Sequence, residues 1–137
     1  MLPLRYVRLW RALSVLILIV VLLAALSPAF WFFDNRANVL SWFQNADKWL
    51  HAFTFIVLSV WFSGLLARRS YWLIAAGLTL FGFFVEFSQL QVSYRTADWV
   101  DIAANTAGII VGLAVALAGL GGWGLRFEDW YMRRNQH

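Results

Sequence analysis

Four apolar stretches, each long enough to cross a bilayer and separated by short polar breaks, constrain this chain more than any other feature. The first runs from Ala12 to Phe33. As a helix it would rise about 33 Å, which spans the hydrocarbon core. The others cover about 49–66, 71–90 and 99–120. Hydrocarbon offers no partner to a backbone N–H or C=O, so apolar runs of this length are expected to be helices. Of the 137 residues, 62% are hydrophobic and 13% charged, and mean hydropathy is +0.68. A soluble domain of this size does not carry so much apolar surface. The expected fold class is all-α: a polytopic membrane protein with four transmembrane helices in an antiparallel bundle, forming one domain over 1–137.

The breaks define the connections. Only Ala67, Arg68, Arg69 and Ser70 separate the second and third spans, which predicts a tight helical hairpin. The 34–48 connection is longer, and its Val39, Leu40, Trp42 and Phe43 could lie along the membrane interface. Gly119, Gly121, Gly122 and Gly124 are expected to fray the end of the fourth span. Beyond them, aromatic residues alternate with Arg126, Arg133 and Arg134, a pattern suited to the membrane surface. Arg5, Arg8 and Arg11 ahead of the first run resemble the start of a signal peptide. The run is longer than a typical signal core and no A-x-A site follows, so an uncleaved helix is expected, kinked near Pro28.

Orientation follows from the basic residues. Arg5, Arg8, Arg11, Arg68, Arg69, Arg126, Arg133 and Arg134 fall on one side, against Arg36, Lys48 and Arg95 on the other. The positive-inside rule then puts both termini in the cytoplasm. Trp10, Trp31, Trp49, Trp72, Trp99 and Trp123 near span ends are expected to form an aromatic belt. The same asymmetry accounts for the net charge of +4 and argues against a nucleic-acid partner, because the basic residues form no stripe. With no cysteine, disulfides and thiolate chemistry are excluded.

Most of the unusual polar residues gather at the outward end of the last three spans. Asp47, Lys48 and His51 open the second, and Glu86 and Gln89 close the third. Arg95 lies in the following loop, and Asp98, Asp101 and Asn105 open the fourth. Asp47 and His51 are four residues apart and share a helix face. Asp101, Asn105, Gly108 and Gly112 share another, acidic and amide-bearing above and glycine-lined below, where a neighbouring helix (the third or the second) can approach closely. Asp98 and Asp101 could simply cap the fourth helix, whose dipole favours acids there. Asp47 and Lys48 could be an ordinary interfacial start. His51 and Glu86 are harder to explain so, since neither is a natural cap and both lie within apolar sequence. A carboxylate at that depth is expected to face the bundle or a wet cavity.

Familiar catalytic patterns are missing. There is no H-E-x-x-H, G-x-S-x-G or phosphate-binding glycine loop. The only other histidine, His137, lies on the opposite side, so a two-histidine metal site within one chain is unavailable. Carboxylates with one histidine could hold Mg²⁺, Ca²⁺ or Zn²⁺ weakly, but no metal or cofactor is expected.

The string Asp47-Lys48-x-x-His51 with Phe55 and Leu58 resembles the VanZ-like family of small bacterial membrane proteins. So do Glu86-x-x-Gln89 and the run from Arg95 through Asp98 and Asp101 to Asn105, Gly108 and Gly112. The family takes its name from an accessory protein of glycopeptide antibiotic resistance, with teicoplanin the affected drug. The resemblance implies a multi-pass protein of the bacterial inner membrane with a role in the cell envelope rather than that phenotype.

Three functions are then open. The first is a binding protein whose outward cluster of Asp47, Lys48, His51, Glu86, Gln89, Arg95, Asp98, Asp101 and Asn105 takes the head group of a lipid-linked cell-wall or polysaccharide precursor. In it, Arg95 and Lys48 pair with phosphate. The second is a hydrolase or transferase at the same place, with Glu86 as general acid and His51 as base. The third is a scaffold whose polar residues only join the helices.

Overall fold

A computed structural model describes residues 1–27, 36–91 and 99–136, with the backbone alone over 36–47. Five α-helices follow in order: α1 (Val7–Leu26), α2 (Arg36–Leu65), α3 (Tyr71–Leu90), α4 (Trp99–Val115) and α5 (Trp123–Arg134). No strand occurs among the described residues. Among the described residues, four segments are long and apolar enough to cross a membrane: Val7–Leu26, Lys48–Leu65, Arg68–Leu90 and Trp99–Leu120. With the apolar composition, they make this a multi-pass membrane protein.

The third helix spans 71–90, as its apolar run predicts, and the hairpin before it is tight. Ala67 is extended, and a 3₁₀ turn over Arg68–Ser70 leads into α3. Two elements differ from expectation. The first helix begins at Val7 rather than Ala12, because its first turn is held from outside by α5. It ends at Ser27, where the backbone turns extended, so Pro28 and the rest of the expected span to Phe33 lie outside the described residues. The second helix begins at Arg36, so the 36–47 connection is helical and continuous with the span. Polar residues among the apolar ones hide such a continuation from a hydropathy reading.

The core is built on α2 and α4. A Cβ added at Gly108 would strike the carbonyl oxygen of Ala52, and one at Gly112 would lie 2.5 Å from Ser59 Cβ. Glycine at both positions lets the backbones close on each other. His51 lies beside Asn105, Ala52 beside Gly108 and Ser59 beside Gly112, so the two helices run in the same direction. Phe55, Leu58 and Ile109 are buried between them, with Ile74 and Leu78 of α3 completing the cluster. Leu73, Leu80, Phe83, Phe84 and Phe87 of α3 face outward, as a lipid-facing surface requires.

The end of the bundle carrying the chain termini is closed differently. Helix α4 ends in a π turn over Ala116–Leu120, and Gly119 and Gly122 at φ 154° and 74° reverse the chain into α5. Both angles suit glycine and strain other residues. Arginines cap the carbonyls left over: Arg126 Nη2 donates to Gly119 O at 3.0 Å and Arg68 Nη2 to Leu117 O at 3.4 Å. Helix α5 then lies against α2 where Gly124 meets Gly64. Trp10 and Trp123 are therefore not part of an outer belt. With Trp61 they pack edge-on or tilted at centroid distances of 5.2–5.8 Å at this end, Trp10 buried and the other two half-buried. Trp49, Trp72 and Trp99 are well exposed, consistent with belt positions, and Trp31 lies outside the described residues.

Candidate functional site

At the opposite, distal end, three helices deliver polar side chains to one point. His51 comes from α2, Glu86 from the last turns of α3, and Asp101 from the first turn of α4. All three are buried, and their potential ligand atoms lie within 4.8 Å of one another. The packing below explains the convergence. Phe55, one turn under His51, is 1% exposed, as is Val85 beside Glu86. Gly82, one turn under Glu86, leaves room for Asn105, whose Nδ2 would lie 3.2 Å from a Cβ there. Helices pressed together at glycines bring the polar residues one turn above them into contact.

Asn105 organises the cluster. It is 3% exposed, and its Oδ1 lies 3.0 Å from His51 Nδ1. An amide oxygen only accepts, so in this orientation Nδ1 carries the proton and donates it. A neutral His51 then keeps its lone pair on Nε2. Asn105 Nδ2 is buried and has no hydrogen-bond partner among the described residues. It is a donor available to an oxygen atom brought by a ligand.

The other expected site residues divide. Gln89 is 2% exposed and donates from Nε2 to the Ala25 carbonyl of α1 at 2.9 Å, which ties two helices together beside the cluster. Lys48 is half-buried in the turn before His51. The side chain of Asp47, together with Arg95 and Asp98, lies outside the described residues. Asp101 does stand in the first turn of α4, where the dipole favours it, but it also meets His51 and Glu86 and so is more than a cap.

One buried carboxylate went unnoticed in the sequence. Glu128 of α5, 5% exposed, accepts from Arg5 N at 2.8 Å, Tyr6 N at 3.1 Å and Trp10 Nε1 at 2.7 Å. Burial pushes its carboxyl up, but the Arg5, Trp10 and Tyr6 hydrogen bonds and the Arg5 charge outweigh this and hold it below the ordinary value. Nothing in a tail of alternating arginines and aromatics singles Glu128 out, because its donors lie more than 110 residues away in sequence.

A family model described as VanZ/LLP1 matches residues 8–120. No curated protein and no solved structure shows significant similarity to the chain. The match runs from the first turn of α1 through the π turn, taking in His51, Glu86, Asp101 and Asn105, and on that span the chain belongs to the VanZ/LLP1 family.

Proposed function

We propose that this is a single-domain protein of the bacterial inner membrane, with both termini cytoplasmic and its spans alternating in direction. Its distal cluster would open outward and take the head group of a lipid-linked cell-wall or polysaccharide precursor. The observation carrying this reading is the burial of His51, Glu86, Asp101 and Asn105 together at one end of a membrane bundle. Buried polar residues within spans are costly, and such gatherings mark ligand sites more often than lipid-facing surfaces. The basic residues favour the orientation, because the cluster lies at the end away from most of them. Glu86 and Asp101 repel a phosphate, so Lys48 and Arg95 are the groups to pair with it. Asn105 Nδ2 and the carboxylates suit sugar hydroxyls and amides.

The test is binding of undecaprenyl-phosphate-linked precursors to purified protein in nanodiscs. Arg95→Ala with Asn105→Ala should weaken binding at least tenfold. Unchanged binding removes the reading. Impermeant labelling of a cysteine introduced at position 93 of the cysteine-free chain tests orientation: labelling in intact cells is expected, and protection overturns it.

One observation favours a hydrolase or transferase as second reading. The Asn105 oxygen on His51 Nδ1 orients an imidazole as a third group orients a catalytic base. Glu86 would be the acid. Turnover of the bound lipid, lost in His51→Ala and Glu86→Gln, distinguishes an enzyme from a binder. If those variants change only thermal stability, the cluster is a scaffold.

A further inference from the structure

We infer that His51, Glu86 and Asp101 form a binding site for one divalent transition-metal ion, Zn²⁺ or Mn²⁺. The inference rests on the preceding reading only in taking the same cluster as the site, and not on what lipid that site accepts.

Geometry comes first. Three donors at about 2.0–2.2 Å from one ion in tetrahedral geometry lie about 3.3–3.6 Å from one another. One ring nitrogen of His51 and one carboxylate oxygen each of Glu86 and Asp101 already lie within 4.8 Å of one another, so side-chain rotation that closes the longest gap by about 1.2–1.5 Å suffices. Each donor comes from a different helix, on a backbone fixed by packing beneath it, with Phe55 and Val85 each 1% exposed. Ligands on rigid helices need little reorganisation to close on an ion.

Donor chemistry comes second. One imidazole with two carboxylates is too nitrogen-rich for a Ca²⁺ cage and suits zinc or manganese. Three protein ligands leave at least one position open, the pattern of sites that bind or activate a further molecule. An ion there would supply Lewis acidity toward a phosphoryl oxygen or a water.

Asn105 is the independent observation. Metal-bound histidines characteristically donate their other ring N–H to an oxygen, which fixes the tautomer and aims the lone pair. His51 does this to Asn105 Oδ1 at 3.0 Å. The same amide places a buried Nδ2 donor beside the cluster, without a partner among the described residues and ready for an oxygen carried by the ion.

The experiment uses tag-free, full-length protein in nanodiscs, stripped with EDTA and carrying His137→Ala to remove the only other imidazole. Equilibrium dialysis against Zn²⁺ and Mn²⁺ should give one ion per chain. His51→Ala, Glu86→Gln and Asp101→Asn should each weaken binding at least tenfold, and Asn105→Ala by about 10–100-fold. Cobalt substitution should give visible d–d bands that vanish in His51→Ala. Should that variant misfold, the bands of the otherwise unchanged protein and their loss in Asp101→Asn carry the test. Fewer than 0.2 ions per chain, no bands, or binding unaltered by these substitutions overturns the site. Lipid binding is read on the same samples. Lipid bound without metal sinks this inference alone, and metal bound without lipid sinks only the lipid reading.

Discussion

Two buried carboxylate sites lie at opposite ends of the bundle, and they are built for different work. At the terminal end, Glu128 meets donors that cannot leave: two backbone N–H groups and an indole, all from one segment that it pins to α5. Three N–H donors around one carboxylate make a finished joint, with tryptophans closing around it. At the distal end, Glu86 and Asp101 lie near a histidine and each other, and the Asn105 amide bonds that histidine. Side chains that can change proton or ligand gather there, on three separate helices. A buried carboxylate is therefore not by itself a sign of function. Its neighbours set the expectation: fixed donors suit a brace, and other ionisable groups suit the proposed site.

That contrast can be broken by exchanging the roles under substitution. Glu128→Ala strips the acceptor from three donors. The Trp10 indole is the buried donor and the Arg5 and Tyr6 N–H groups are partly buried, so at about 1–3 kcal/mol for a buried donor left unsatisfied the change should cost about 2–3 kcal/mol, read as a fall in thermal midpoint in detergent. Ligand and metal binding at the distal end should be unchanged. His51→Ala should show the converse, with binding lost and stability falling by less. If His51→Ala proves the more destabilising, the distal cluster is a brace as well.

A smaller effect is expected from the contact that assembles the distal end. Gly108→Val forces a side chain onto the Ala52 carbonyl of α2. Overpacking of this kind costs about 1–3 kcal/mol. It should also separate His51 from Asn105, so distal binding should weaken while the Glu128 clasp holds. The spectra of tryptophans near each end report which end loosens.

Gln89→Leu should remove only the tie from α3 to Ala25. Interhelical hydrogen bonds in membranes are worth about 0.6–1.7 kcal/mol, so a loss near 1 kcal/mol with binding retained marks Gln89 as a brace. A loss of binding comparable to that of His51→Ala returns it to the site.

The smallest effect is set by pH. Glu128 titrates below 4.5 in the folded chain and near 4.5 when unfolded. The unfolded chain takes the proton first as pH falls, so the stabilisation is complete above about 4.5 and is lost as pH drops through the native value. The stability difference between the unaltered protein and Glu128→Gln should therefore be level above that pH and shrink below it. A difference that instead grows on acidification would show the folded carboxyl to be raised.

Much of the distal site was legible because helical spacing does the arithmetic. Asp101, Asn105, Gly108 and Gly112 recur at three- and four-residue steps, so they had to share a face, and small residues on that face had to meet a neighbour. Which neighbour was not legible. Both α2 and α3 were eligible, and the structure gives the backbone contact to α2 and a narrower one, at Gly82, to α3. Gln89 shows the limit of the same reasoning. Its place one turn from Glu86 suggested a shared role, yet it turns to α1, whose closeness no spacing within α3 encodes.

The amino-acid sequence by itself determined the number of membrane-length apolar helices, the bounds of the third, the 67–70 hairpin and the polar character of one end. Those properties follow from local hydrophobicity and periodicity, which a bilayer reads segment by segment. Only the tertiary structure decided that the chain helical from Arg36 onward continues into α2, that α5 folds back to hold the start of α1, and that His51, Glu86 and Asp101 come within 4.8 Å. Each of these depends on close approach between segments distant in sequence. Such approaches are set by which glycines and side chains fit together in three dimensions, and no one-dimensional pattern records that fit.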